Sequence, residues 1–145
     1  KELIEKHSEL GHPKENFIES YRRYAKSLVA IKGTSGKDKK TGMLFEFVLK
    51  NNPYELEKNR ISAHLFYKKK PLKNQKVTVF SKKDAKINLI KLVTDNNGII
   101  EFQVTNGTVY LIDSVIILPK RGNPKKEEPI WHSLWASTTF AIPKK

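Results

Sequence analysis

Four histidines, His7, His12, His64 and His132, are the nitrogen ligands and general bases available to a chain of 145 residues that has no cysteine. The missing thiols exclude disulfides, thiolate zinc sites and cysteine nucleophiles together. His7 and His12 stand five apart, which on a helix turns them about 140° from one another, whereas zinc-binding pairs usually sit about four apart. They can meet only in a loop, and the pair reads as two polar residues of a chain end. His64 falls on the polar side of "RISAHLFY" and is expected in solvent.

"WHSLWAS" and the residues after it form the densest cluster of reactive types, with Trp131, His132, Ser133, Trp135, Ser137, Thr138 and Thr139 close together. A nucleophilic site here would use Ser133 or Ser137 as the attacking group, His132 as its base and a carboxylate to orient the ring. Adjacent strand residues point to opposite faces, so His132 and Ser133 do not readily pair. The same alternation puts Trp131 and Trp135 on one face. The other face, with His132, Leu134, Ala136, Thr138 and Phe140, is the better core face, which directs both indoles toward solvent, a loop or a partner. The expectation is a chain with no catalytic residue, no metal ligand set and no cofactor. Trp131, His132 and Trp135 are its candidate ligand-binding residues.

Asp95-Asn96-Asn97-Gly98 invites a calcium reading. An EF-hand loop has glycine sixth and a bidentate glutamate twelfth. Here glycine comes fourth, and the twelfth position from Asp95 is Asn106. Turn chemistry remains, because Asp, Asn and Gly tolerate left-handed backbone angles, and the flanking alternation predicts a hairpin.

Lys and Arg number 28 against 15 Asp and Glu, a net charge of +13. Such a field attracts polyanions at long range. The excess is mostly Lys spread along the chain, whereas Arg, suited to bidentate phosphate recognition, occurs only at Arg22, Arg23, Arg60 and Arg121. A lysine-rich surface is therefore expected in preference to a sequence-specific nucleic-acid face, and a basic polyanion-binding domain stands as the alternative. No run approaches the roughly 18 apolar residues of a membrane span, and "KELIEKHSEL" lacks the apolar core of a signal peptide. A start without Met inside a charged segment suggests a longer precursor.

Residues 1–31 read as an N-terminal helical segment. Phe17, Ile18, Tyr21, Tyr24, Ala25, Leu28 and Val29 recur at helical spacing, which predicts an amphipathic helix around residues 15 to 25, with "SLVAI" suited to entering a sheet. Residues 32–42, "KGTSGKDKKTG", have nothing to bury and predict an exposed, mobile loop. In residues 43–145 the period falls to two. "MLFEFVL", "RISAHLFY", "KVTVF", "INLIKLVT", "IIEFQV", "TVYLIDSVIIL" and "WHSLWASTTFAI" are about seven strands joined by turn residues, which make a mainly β fold, an antiparallel β-sandwich.

"KKPLKNQKVTVF", "VTDNNGIIEFQV" and "GTVYLIDSVIIL", in that order, resemble the repeating pattern of transthyretin-like and carboxypeptidase-regulatory-like Ig-type sandwiches. "YRRYAKSLV", "NNPYEL" and "WHSLWASTTF" are similar to segments of a bacterial family of periplasmic proteins of unknown function, labelled nickel-uptake-transporter-like or as a periplasmic component of cobalt transport. The resemblance covers about residues 17 to 142. It implies an Ig-like sandwich, a periplasmic or cell-envelope location, an unidentified protein or envelope partner, and a non-catalytic binding or structural role accessory to transition-metal uptake. The family's histidine-containing N-terminal half has no counterpart in this sequence, so a metal site dependent on it is not expected here.

Overall fold

Alternation of apolar and polar residues from Phe45 onward yields strands with one buried face, and the chain folds around them. The computed structural model describes residues 2–31, 35–120, 122, 125 and 127–144. In chain order these are α1 (Glu2–Glu9), β1 (Ile18–Ser27), β2 (Phe45–Leu49), β3 (Arg60–Tyr67), β4 (Lys70–Pro71), β5 (Lys76–Lys83), β6 (Lys86–Val93), β7 (Ile99–Gln103), β8 (Thr108–Pro119) and β9 (Pro129–Ile142). One sheet has the order β1-β9-β8-β5-β6, and the second joins β2, β3 and β4 with β7 alongside β3. The expected mainly β sandwich is what forms. All seven expected strands are present, and β1 and the two-residue β4 are additional.

Contacts divide the chain into two units, one of residues 1–22 and 116–134, the other of residues 23–115 and 135–145. In the second unit, Phe45, Phe47, Ile61, Leu65 and Ile100 from one sheet, and Val77, Ile112 and Phe140 from the other, are fully buried. Phe102 on β7 meets Tyr110 on β8 at a ring separation of 6.0 Å, and Tyr110 stacks on Phe140 at 5.6 Å. Aromatic pairs at these spacings add to area burial, and here they join the inner faces of the two sheets.

Three expectations change. The helix lies at Glu2–Glu9, and the stretch expected to be helical, 15–25, is mostly strand β1. Its helical spacing of apolar residues was outweighed by partners that a helix would not reach. Ser20, Tyr24 and Lys26 are the half-buried residues of β1, at period two. Leu28, just past its end, donates its N–H to Thr139 O at 2.9 Å. Tertiary pairing overrode local propensity.

The loop at residues 32–42 is also more than a solvated connection, although 32–34 lie outside the described residues. Lys26 Nζ donates to Asp38 Oδ1 at 2.8 Å and to Oδ2 at 3.1 Å, with both side chains under a tenth exposed. Asp38 also accepts the N–H groups of Lys39 and Leu49 at 2.8 Å. Buried Glu46 accepts from Thr41 N, Thr41 Oγ1 and Gly42 N. Buried charges persist when they are paired and hydrogen-bonded, and this network holds the loop's second half against β2.

Asp95-Asn96-Asn97-Gly98 is a turn but not a hairpin. β6 pairs with β5, and β7 pairs with β3, so the turn carries the chain from one sheet to the other. Asp95 Oδ1 accepts the N–H groups of Asn97 and Ile99, each at 2.8 Å. Gly98 has φ +73°, and a Cβ there would lie 2.8 Å from Leu72 N and 3.1 Å from Leu65 O. Local chemistry fixes the reversal, but the partner of each flanking strand is a tertiary choice.

Candidate functional site

The strongest candidate site lies in the unit formed by residues 1–22 and 116–134. Trp131 enters it from the start of β9. Its indole is 5 % exposed, so it does not face solvent, and α1 with the segment after it supplies the cover. Trp131 Nε1 donates to His7 Nδ1 at 3.0 Å, and the His7 ring stacks on the indole with planes 16° apart. Phe17 packs on His7 at 4.8 Å between ring centres. His12 stands edge-on to both His7, at 5.4 Å, and Trp131, at 6.0 Å.

The spacing argument against a helical His7–His12 pair holds, because α1 ends at Glu9 and His12 lies in the turn beyond it. Gly11 makes that turn with φ +65°. The two histidines thus meet through a loop, the one route the sequence left open.

Their chemistry follows from their partners. An indole N–H is a donor only, so His7 Nδ1 must accept, and a neutral ring then carries its proton on Nε2. That nitrogen sits 2.9 Å from Pro13 O, which can only accept. Both ring nitrogens are committed, and a metal ion at His7 would have to displace one bond. His12 Nε2 is buried without a partner. Among the described residues no three His, Asp or Glu side chains converge as a metal site.

Beside this cluster is a cavity of about 410 Å³ lined by Leu3, Ile4, His7, Phe17, Ile117 and Trp131. Ser8, Lys14 and Glu19 complete the lining. Leu3, Ile4 and Phe17 are 43, 72 and 44 % exposed, a degree unusual for large apolar side chains gathered at one place.

His132 points the other way along β9 and is half-buried. Its Nδ1 is hydrogen-bonded to Ser20 Oγ of β1. The serine that pairs with His132 is therefore distant in sequence, and Ser133, adjacent to it, is buried on the opposite side as strand geometry requires. Among the described residues no carboxylate hydrogen-bonds the His132 ring, so the orienting third member of a triad is not supplied.

Trp135 belongs to the other unit. It is half-buried beneath Arg23, whose guanidinium carbon lies 5.2 Å from the ring centre. Burial holds the Asp113 carboxyl above its ordinary range, and Arg23 partly opposes that shift. Leu134, Ala136, Thr138 and Phe140 are buried, as their face of β9 was expected to be. His64 is half-buried rather than solvated, bonded through Nε2 to Asn97 O and packed on Phe66 at 4.5 Å.

Sequence reasoning placed Trp131 and His132 on the right strand but missed His7, Phe17 and Ser20 as their neighbours. The apolar residues Leu3, Ile4 and Leu10 within "KELIEKHSEL" were the available signal, since they recur at helical spacing in a segment otherwise charged.

The profile of one protein family, described as a domain of unknown function (DUF4198), matches residues 5–117. The chain belongs to the DUF4198 family. The match includes His7, His12, Phe17 and Ser20 but stops before β9, so Trp131, His132 and Trp135 lie outside it. No curated protein matches the chain, and no solved structure matches it. No helix among the described residues is long and apolar enough to cross a membrane.

Proposed function

We propose that this DUF4198 chain is a non-catalytic binding module of the cell envelope whose cavity beside Trp131 takes a small molecule with an apolar body. The observation that carries this reading is the cavity. Its volume of about 410 Å³ falls within the range of small-ligand sites, and its lining is mostly aliphatic and aromatic with few polar groups. Lys14 and Glu19 give opposite charges with which a polar end of the ligand can be oriented. His7, locked between Trp131 and Pro13, gives the pocket a rigid wall.

The periplasmic location, the Ig-like subtype and an accessory role in nickel or cobalt uptake follow from the resemblance of "YRRYAKSLV", "NNPYEL" and "WHSLWASTTF" to the labelled bacterial family. Contacts of the first two segments are what this reading draws on. Lys26 of the first holds Asp38, and Tyr54 Oη of the second donates to Leu28 O at 2.6 Å. Neither contact needs a metal.

Trp135→Phe leaves Trp131 as the sole tryptophan, since the chain has two. Titrating that variant with decanoate and with 1-naphthoate should give a saturable change in its emission, weakened about tenfold by Ile4→Glu, a substitution at an exposed lining residue. Emission that stays flat up to about millimolar probe, or a response that Ile4→Glu leaves unchanged, would remove the pocket reading. Fractionation of cells expressing the whole gene tests the location, and recovery in the cytoplasm would refute it.

A further inference from the structure

The five-stranded sheet ends at β6, and among the described residues this strand is hydrogen-bonded to β5 alone. It is eight residues long. An edge of that length presents a row of unpaired amides and carbonyls, which proteins normally shorten, bend or cover. β6 is open and apolar as well. Ile87, Leu89 and Val93 are 66, 54 and 59 % exposed.

Register shows that these side chains share one face. Val77 and Val79 of β5 are buried, so Thr78, Phe80 and Lys82 point away from the core. Opposite Phe80 stand Leu89 on one side and Leu111 on the other, and opposite Lys82 stand Ile87 and Val109. An apolar strip therefore runs across three strands to the open edge.

The charge around this strip is mostly positive, although Asp113 of β8, opposite Thr78, lies on the same face. Residues 68–93 carry nine lysines against the single carboxylate of Asp84. Lys76, Lys82, Lys83, Lys86 and Lys91 form no salt bridge among the described residues. Asp84 sits at the tip of the β5–β6 hairpin with φ +53°, where its backbone makes the turn. Residues 68–93 thus hold +8 of the chain's net +13, and the hairpin itself +4, so the charge is not spread evenly.

We propose that β6 is a docking edge for an extended, acidic segment of a partner protein, which adds to the sheet as a further strand. Such a segment alone satisfies all three features. Its backbone pairs the open edge, its apolar residues cover Ile87, Leu89 and Val93, and its carboxylates meet the lysines. A second copy of this chain would bring two lysine-rich hairpins together, and like charges across a strand pair are destabilising. A nucleic acid would use the lysines but leave the apolar row and the strand edge without partners, and residues 76–93 offer only Phe80 for stacking. A lipid surface would leave the backbone edge unpaired.

The test uses a fluorescein-labelled eight-residue peptide of alternating Glu and Val. Its Lys–Val counterpart, a copy N-methylated at alternate residues, oligo-dT and anionic phosphatidylglycerol vesicles serve as competitors. The Glu–Val peptide should bind, with amide shifts confined to β5 and β6. Ile87→Glu/Leu89→Glu and, separately, Lys86→Glu/Lys91→Glu should each weaken it about tenfold or more, and N-methylation should abolish it. These residues are exposed, so the variants should keep the wild-type circular dichroism; the shift map on the unaltered chain decides the matter if they do not. Shifts elsewhere, equal affinity for the N-methylated peptide, preferential binding of oligo-dT or vesicles, or concentration-dependent self-association through β6 in sedimentation would each overturn the proposal.

Discussion

The two units are held by different physics. In the unit of residues 23–115 and 135–145, Phe45, Phe47, Phe140, Ile61, Leu65, Ile100 and Ile112 are wholly removed from water. In the unit of residues 1–22 and 116–134, Ser133 alone among the described residues reaches that degree of burial with a sizeable side chain. Ile130, Trp131 and Leu134 are buried there, and directed contacts add to them: Trp131 to His7, His7 to Pro13, and Ser20 to His132. Area burial is non-directional and large, whereas a hydrogen bond contributes about 1 kcal/mol net. The first kind of unit sustains a scaffold. The second holds the cavity lined by Leu3, Ile4, His7, Phe17, Ile117 and Trp131.

The largest expected effect is in the scaffold. Phe47→Ala should cost about 3 to 5 kcal/mol, seen as a lowered urea midpoint of the main transition, because a fully buried ring leaves a cavity that neighbouring strands cannot fill. Asp38→Ala should cost about 3 kcal/mol, because Lys26 then keeps a buried charge with Glu46 4.0 Å away as its nearest carboxylate. A loss under about 0.5 kcal/mol, the size of an ordinary surface effect, would show that the loop around Asp38 is as loosely held as its composition suggests.

Gly98→Ala should cost about 1 to 3 kcal/mol, since the new methyl meets Leu72 N and Leu65 O at a positive φ. The same denaturation measurement checks it. His7→Phe should leave the main transition within about 0.5 kcal/mol and instead shift Trp131 emission in the Trp135→Phe background, by removing the acceptor of the indole N–H while keeping a ring against it. A large global loss from His7→Phe would erase the contrast between the two units.

The smallest effect concerns Asp113. Burial raises its folded pKa above the ordinary 3.8, so folding opposes its ionisation. Stability is lost as pH rises through the ordinary value toward the raised one, and Asp113→Asn should remove that loss. The variant should melt slightly higher than wild type at neutral pH, and the gain should vanish below pH 3.8. A variant that melts lower at neutral pH would mean that attraction to Arg23 outweighs burial.

Period-two alternation from residue 43 onward was enough to find every strand beyond β1 except the two-residue β4, because burial on one face imposes that period directly. The face of β9 was legible from Leu134 onward, since Leu134, Ala136, Thr138 and Phe140 lie buried, whereas before it Trp131 and Ser133 are buried and His132, expected on the core face, is half-buried. Turn chemistry at Asp95 to Gly98 was readable for the same local reason, as Asp, Asn and Gly there can do little else. Partnership was not legible. Which strand β7 would join, that residues 18–27 would pair as a strand despite helical spacing, that Lys26 would find Asp38, and that His7 and Ser20 would meet residues more than a hundred positions away are outcomes of competition among tertiary contacts. Sequence determined what each segment wants to bury; only the fold decided against what, because local preferences differ by less than a kcal/mol or so per residue and a long-range contact network easily exceeds them.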